Sequence, residues 1–352
     1  LSSLWSESQD HHRKFLSIFF VQVSSFKTNI MDQHLLRFAI VGAGGIAQTH
    51  LQAFGTTSVG KLVAVVDVRK EAAEAMAATQ HCEAYQDVAT MLATTKIDAA
   101  IVCTPPTTHP EICAQLAEAG VHVLCEKPIA VNREAALGMI EMAAKHQTLL
   151  TMASKFRYVS DMVFAKQLIV SGVLGDIALL ENTFTGHVDM QRRWNSNPKL
   201  SGGGVIIDNG THSVDIVRYL LGPVQSIQAI EGRRIQNISV EDTARIHART
   251  ADGVLAAMDL SWSFHKQTPW YVSVYGTQGT VLVGWGESKY KRDSDKEWTV
   301  FGSGYNKVQA FTDQINNFGK AIRGIEPLLI TSDDAVASVE AVEASYESLR
   351  RD

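Results

Sequence analysis

Residues 36–54 read LRFAIVGAGGIAQTHLQAF. The first six form an apolar run of the kind that makes a buried strand, and the last nine carry a helical pattern. Between them, Gly42-Ala43-Gly44-Gly45-Ile46-Ala47 matches G-x-G-x-x-[GA]. Glycine permits the tight turn and lets the backbone approach a pyrophosphate closely. The next helix points its free amides at that anion. A glycine turn alone is weak evidence, but a strand before it and a helix after it make it a dinucleotide fingerprint. Gly42, Gly44, Gly45, Ile46 and Ala47 are therefore expected to hold the cofactor.

The rhythm continues outward. KLVAVVD (61–67), IDAAIVCTP (97–105), VHVLCEKP (121–128) and LLTMASKF (149–156) read as further strands. KEAAEAMAATQ (70–80), AYQDVATMLAT (84–94), HPEICAQLAEAG (109–120) and REAALGMIEMAAKHQ (133–147) read as helices. Such alternation means βαβ units around a parallel sheet, expected over residues 31–155. Beyond Phe156 the pattern changes. A helix at 160–171, a strand near 177–186 and a helix from about Val205 precede five strands between Val224 and Gly286. Short turns such as Ala251-Asp252-Gly253 and Thr277-Gln278-Gly279 predict antiparallel pairing. Helices near 308–323 and 333–350 end this second domain, 156–352.

Composition bounds the function. The 352 residues are 45% hydrophobic and 20% charged, an ordinary globular balance with room for two domains. A net charge of −5 gives no attraction to nucleic acid. No apolar run approaches a membrane span. The four cysteines have no C-x-x-C spacing, which suits reduced thiols in a cytoplasmic enzyme, and no metal site is read. Residues 1–30 look foreign to the rest of the chain. FLSIFFVQV (15–23) faintly imitates a signal peptide without a cleavage site, so these residues are expected to be a dispensable leader ahead of Met31.

Asp67 ends the second strand, 20 residues beyond Ala47. There a carboxylate accepts from the adenosine ribose and repels a 2′-phosphate, which favours NAD; capping of the next helix is a compatible role. Arg69 and Lys70 could instead serve NADP. Further on come Thr104-Pro105-Pro106 through His109, then Glu126-Lys127-Pro128 at a strand end. Gly202-Gly203-Gly204 comes later, leading into Asp208-Asn209-Gly210-Thr211-His212 and Asp215. Together these motifs resemble the glucose-fructose oxidoreductase/inositol dehydrogenase family, Gfo/Idh/MocA, over about residues 35–350. The resemblance implies an N-terminal Rossmann domain and a C-terminal α+β domain whose open, predominantly antiparallel sheet packs against another subunit. It also implies oxidation or reduction of sugars, nucleotide sugars or cyclitols at a secondary alcohol. Thr104, Pro105, His109, Glu126 and Lys127 would line the cofactor, and Lys127, Asp208 and His212 would be the catalytic set.

The residues agree with that chemistry. Removing a hydroxyl proton needs a base within hydrogen-bond reach, and histidine suits neutral pH. Asp208 and His212 stand four apart, hence on one helix face, with Asp215 three further on. The helix N-terminus would keep Asp208 ionised and His212 neutral, and the preceding glycines would admit ligand. Asp208 is expected to orient both Lys127 and His212. Many relatives have Trp-Arg eight residues before the glycine run; here Trp194 is followed by Asn195, with Arg192 and Arg193 on the other side. Trp194 and Arg157 join Lys127, Asp208 and His212 as expected substrate contacts. Lys155, Arg157, Arg192 and Arg193 read either as a site for an anionic substrate or as solvated surface charge with pyrophosphate contacts. A non-catalytic NAD(P)-binding regulatory protein of the same fold is the alternative, and a non-sugar carbonyl or imine substrate is a third reading. An intact Lys127/Asp208/His212 set favours the enzyme.

Overall fold

The computed structural model describes residues 35–351, so the expectation for a leader at 1–30 lies outside the described residues. A six-stranded parallel sheet comes first, in the spatial order β3-β2-β1-β4-β5-β6. Its strands are β1 (Leu36–Val41), β2 (Gly60–Val66), β3 (Glu83–Tyr85), β4 (Ala99–Val102), β5 (His122–Glu126) and β6 (Leu150–Ala153). This is the doubly wound Rossmann order, with helices on both faces. Every residue of β4 and β6 is buried, as expected for strands covered on both sides. Helices α1 (Gly45–Phe54), α2 (Lys70–Ala78), α3 (Val88–Thr94), α4 (His109–Glu118) and α5 (Arg133–Lys145) make the crossovers.

One local expectation changes. The segment 84–94 does not form a single helix: Glu83–Tyr85 pairs in parallel with Ala64–Val66, and only Val88–Thr94 is helical. Asp87 sets that helix start by accepting from Thr90 N. A three-residue edge strand is too short to show a period of two, so only pairing reveals it.

The second sheet has eight strands, ordered β14-β13-β12-β11-β7-β10-β9-β8. They are β7 (Ile177–Thr185), β8 (Val224–Glu231), β9 (Thr243–Thr250), β10 (Leu255–Ser261), β11 (Trp270–Gly276), β12 (Gly279–Gly284), β13 (Ser288–Arg292) and β14 (Thr299–Gly302). Pairing is antiparallel except between β7 and β10, which run parallel with Leu179 opposite Leu255. The last two strands escaped the sequence reading because SKYKR is charged rather than apolar-alternating and the edge strand TVFG has only four residues. Along β9 every second residue is buried, so helices cover one face and the other stays open. Trp262 and Tyr271 point to the covered face, 3% and 1% exposed, inside the main C-terminal core. An interface on the open face therefore cannot use them.

Helices α6 (Ser160–Val170), α7 (Pro198–Ser201) and α8 (Thr211–Leu221) belong to this second half. The last two, α9 (Lys307–Ile322) and α10 (Ser332–Leu349), turn back onto the first. Phe311, Ile315 and Phe318 join Ile40, Ala47 and Leu51 in one apolar cluster, while Ala335 and Val339 join the cluster on the opposite face of the parallel sheet.

Arg157 sits where these parts meet, 4% exposed. Its guanidinium donates to Asp215 from Nη2 at 2.7 Å and to Asp334 from Nη1 at 3.1 Å, and Ser154 Oγ donates to Asp215 at 2.5 Å. The chain after β6, helix α8 and helix α10 are thereby tied at one buried point. Arg157 is consequently a structural residue: both carboxylates occupy its fork, and it offers nothing to a substrate, contrary to the sequence expectation. Removing it would strand the Asp215 carboxylate without its charge partner. Arg157→Leu is expected to lower the unfolding free energy by about 3–5 kcal/mol, read as a lower urea midpoint. A loss under about 1 kcal/mol would contradict this role.

Candidate active site

The carboxyl edge of the parallel sheet carries Gly42, Asp67, Thr104 and Lys127. Gly42 follows β1 with φ +97°, and a Cβ there would meet the Cys103 carbonyl carbon and oxygen at 2.9 Å. Gly44 and Gly45 face open space. Helix α1 starts at Gly45 with no side-chain cap and no acid in its first turn, so its amides are free for an anion. The turn therefore has both the room and the donors that a pyrophosphate needs. Thr104 and Pro105 leave β4 beside it, with the Thr104 Cγ2 3.0 Å from the position of a Gly42 Cβ.

Asp67 leaves β2 and is 8% exposed. Its Oδ2 accepts from Ala43 N at 2.8 Å, and its Oδ1 accepts from Arg69 N at 2.9 Å. The Arg69 guanidinium lies along the same carboxylate at 3.0 and 3.1 Å. Burial alone would raise the Asp67 carboxyl, but the Arg69 side chain and these backbone amides outweigh it and hold Asp67 below the usual carboxylate range. Arg69 is thus folded onto Asp67 rather than turned to solvent, while Lys70 pairs with Glu74 on the helix surface.

His109 has a different task from the one expected. It is fully buried, with Nε2 2.8 Å from the Thr104 carbonyl and Nδ1 3.1 Å from those of Pro128 and Ile129. The fully buried ring faces protein carbonyls on both sides, so His109 packs the Thr104 loop against the chain after β5 and presents no surface to a cofactor. Glu126, the last residue of β5, accepts from His50 Nε2 at 2.8 Å and from Lys127 N at 3.2 Å. Burial would raise its carboxyl, but the His50 hydrogen bond and the charges of His50, Lys155 and Lys127 hold it low. His50, on α1, was not singled out in the sequence; nothing local tells which strand a helical histidine faces.

Lys127 crosses to the second domain. Its Nζ donates to Asp208 Oδ1 at 2.6 Å and to the Asp208 carbonyl at 3.0 Å. Asp208 lies in a π-helical turn, Ile206–Gly210, ahead of α8. The four-residue spacing to His212 therefore does not span a regular α-helical face, and Asp208 orients Lys127 but not His212. His212 Nε2 lies 3.0 Å from Lys155 Nζ. The imidazole is 7% exposed and its pKa falls well below the ordinary histidine value, through burial first and then the charges of Lys155 and Lys127. Burial is the first cause of that shift, where the sequence reading named the helix terminus.

The glycine run also has another reason than ligand access. A Cβ at Gly202 would meet Val131 Cγ1 at 2.8 Å, one at Gly203 would collide with the Tyr346 hydroxyl, and one at Gly204 with the Glu241 carbonyl. Glu241 Oε1 accepts from Gly204 N, Ile206 N and Tyr346 Oη. These contacts clamp the turn that carries Asp208.

Beside His212 stands an aromatic wall. Phe156 meets the imidazole edge-on at 5.1 Å and stacks on Tyr305 at 5.4 Å; Tyr271 and Trp285 are 4.6 Å apart, and Trp285 remains 42% exposed. Of the loose basic set, Arg157 is locked in the core while Arg192 and Arg193 are exposed on the surface. Only Lys155 stands with His212. Trp194 is exposed on a short 3₁₀ turn, and Asn195 beside it is partly buried.

Two family descriptions match this chain: "Oxidoreductase family, NAD-binding Rossmann fold" over residues 36–154, and "GFO/IDH/MocA C-terminal domain" over residues 162–282. Inositol 2-dehydrogenase of Rhizobium meliloti (strain 1021) is 25% identical over 334 residues, covering 89% of this chain and 97% of the relative. D-glucoside 3-dehydrogenase of Escherichia coli (strain K12) is 32% identical over 215 residues, 60% of this chain and 61% of the relative. Among solved structures, levoglucosan dehydrogenase in complex with NADH and levoglucosan superposes with a TM-score of 0.83 at 20% identity, covering 90% of this chain and 98% of that one. The glycine turn, the fold around it and these matches agree: the chain belongs to the Gfo/Idh/MocA oxidoreductase family and is a nicotinamide-dependent dehydrogenase with an NAD-binding Rossmann domain.

Proposed function

We propose that this chain interconverts a secondary alcohol and the matching ketone on an uncharged sugar or cyclitol ring, with NAD as the hydride carrier. The observation that carries the reading is the juxtaposition of Lys127, Asp208 and neutral His212 against an aromatic wall at the carboxyl edge of the parallel sheet. Bound NAD supplies a hydride acceptor. Lys127 holds the reacting oxygen and steadies negative charge as the hydroxyl proton departs, with Asp208 fixing its ammonium in place. His212 belongs to the proton-accepting side of the site. Aromatic faces suit the C–H faces of a ring, whereas a nucleotide sugar or sugar acid would want the arginines that the fold sends elsewhere. Lys127→Met and His212→Asn should each lower turnover by roughly 100-fold, measured as reduced-nicotinamide absorbance on a panel of myo-inositol, methyl glucosides and UDP-sugars. Near-normal turnover in both variants, or turnover of the UDP-sugars alone, would overturn this reading.

Asp67 supports NAD over NADP. A 2′-phosphate would approach an ionised carboxylate in a partly desolvated place, where repulsion is poorly screened. Asp67→Ser removes that charge and releases Arg69. Wild type should give the larger kcat/KM with NAD, and the variant should move toward NADP. A wild type that prefers NADP would show that Arg69 governs the position instead.

The open face of the second sheet supports a homo-oligomer. Ile230 and Leu255 stand exposed on it, among charges already paired with each other, such as Arg245 with Asp259. Light scattering should report a dimer or larger species, and a monomer throughout the micromolar range would contradict the assignment. No helix among the described residues is long and apolar enough to cross a membrane.

A further inference from the structure

Two lysines enter this site, and they differ in one respect. Lys127 has a carboxylate, Asp208, at 2.6 Å. Lys155, two residues beyond β6, makes its described side-chain hydrogen bond to His212 Nε2 at 3.0 Å. Its Nζ also lies 5.0 Å from the Phe156 ring centroid and 5.9 Å from that of Phe311. Such an amine is tucked between aromatic rings and a neutral imidazole rather than set against an anion.

The contact also constrains His212. Its Nδ1 is buried without a hydrogen-bond partner among the described residues, so Nε2 is the nitrogen open to exchange. Lys155 occupies that nitrogen. A substrate hydroxyl can hand its proton to Nε2 only if Lys155 first moves aside. We propose that the base of this dehydrogenase is the hydrogen-bonded Lys155–His212 pair, with the proton coming to rest on Lys155 Nζ. Lys155 is then a further catalytic residue, and His212 positions it. The proposal rests on the dehydrogenase reading and extends it to the proton.

A neutral Lys155 amine has two N–H donors and one lone pair. One N–H directed at His212 Nε2 leaves the lone pair for the substrate. In the oxidation, the carbinol C–H bond breaks and its electron pair leaves with the hydrogen to the nicotinamide ring. The O–H bond breaks as the carbonyl π bond forms, and the proton joins the Lys155 lone pair. The resulting ammonium donates to the new carbonyl oxygen and to His212 Nε2. Reduction of the ketone runs the same transfers backwards, with Lys155 as the acid. Lys127 is already engaged by Asp208, through its carboxylate at 2.6 Å and its carbonyl at 3.0 Å.

Lys155 has the acidity that such a base requires. Burial first, then the charge of Lys127, lower its pKa to about 7. The charged groups around it are Lys127 and Glu126 from the end of β5, Asp208 from the π turn and Lys307 from the start of α9; the two carboxylates oppose the shift and Lys307 adds to it. Above about pH 7 the amine is free and can accept a proton, so oxidation should rise from acid to neutral pH; the ketone reduction should fall over the same interval.

The test combines turnover with a readout independent of it. The kcat/KM for NAD-dependent oxidation of myo-inositol and methyl β-glucoside is followed across the neutral range in wild type, Lys155→Gln and Lys155→Arg. Wild type should show an acid limb with its inflection near 7. Lys155→Gln should lose roughly 100-fold in kcat together with that limb. Lys155→Arg should stay as impaired at high pH, because guanidinium does not deprotonate there. In parallel, the histidine ring nitrogens of ¹⁵N-labelled protein are titrated with and without NAD. The His212 Nε2 signal should stay that of a neutral ring and move with an inflection near 7 that vanishes in Lys155→Gln. Retention of the acid limb and of near wild-type kcat by a folded Lys155→Gln, or a His212 ring that itself becomes imidazolium near 7, would overturn the proposal. If wild type oxidises neither alcohol, the substrate reading fails, and the nitrogen titration still decides the pair.

Discussion

The buried fork between Arg157 and Asp215 holds the site in register. Both groups lie at the domain junction, and each would be costly there without the other. The pair fixes helix α8 against the chain leaving β6. Lys155 stands two residues before Arg157, and His212 stands three residues before Asp215 on α8. Once the fork is closed, the Lys155 amine and the His212 imidazole are brought into hydrogen-bond distance. Asp334 draws α10 into the same knot, so the last helix helps to position the chemistry.

A second constraint is the partition of charge. The cleft receives two lysine side chains and, among the described residues, sets a close carboxylate against one of them, Lys127. The other is desolvated between rings and a neutral imidazole. Opposed environments for two groups of one kind separate their roles, one held by a carboxylate and the other free to carry a proton. Glu126 remains ionised nearby through His50, which ties the cofactor helix to the strand that ends in Lys127.

Backbone packing explains what motif reading alone attributed to ligands. The run Gly202–Gly204 is pressed by Val131, Tyr346 and Glu241. His109 is enclosed by the carbonyls of Thr104, Pro128 and Ile129. Both are features of the recognised pattern, and both serve to shape the walls of the site. The π-helical turn at Ile206–Gly210 has the same effect: it breaks the α-helical spacing and sends Asp208 to Lys127 while His212 turns to Lys155.

By itself the sequence determined the strand–glycine–helix unit, the parallel sheet, most strands of the second sheet and the placing of Lys127, Asp67 and Gly42 at strand ends. These rest on local periodicity and on a turn that needs positive φ, both written within a few consecutive residues. It could not show the short edge strand at Glu83 or the strands Ser288–Arg292 and Thr299–Gly302, which exist through pairing rather than pattern. It could not tell that Arg157 is buried, that Trp262 and Tyr271 face the core, or that Lys155 rather than Asp208 meets His212. Those outcomes depend on contacts between residues far apart in the chain, such as the 57 positions from Lys155 to His212 and the 58 from Arg157 to Asp215. Only the folded arrangement of the two domains decides which charge finds a partner, because solvation and Coulomb attraction act through space and not along the sequence.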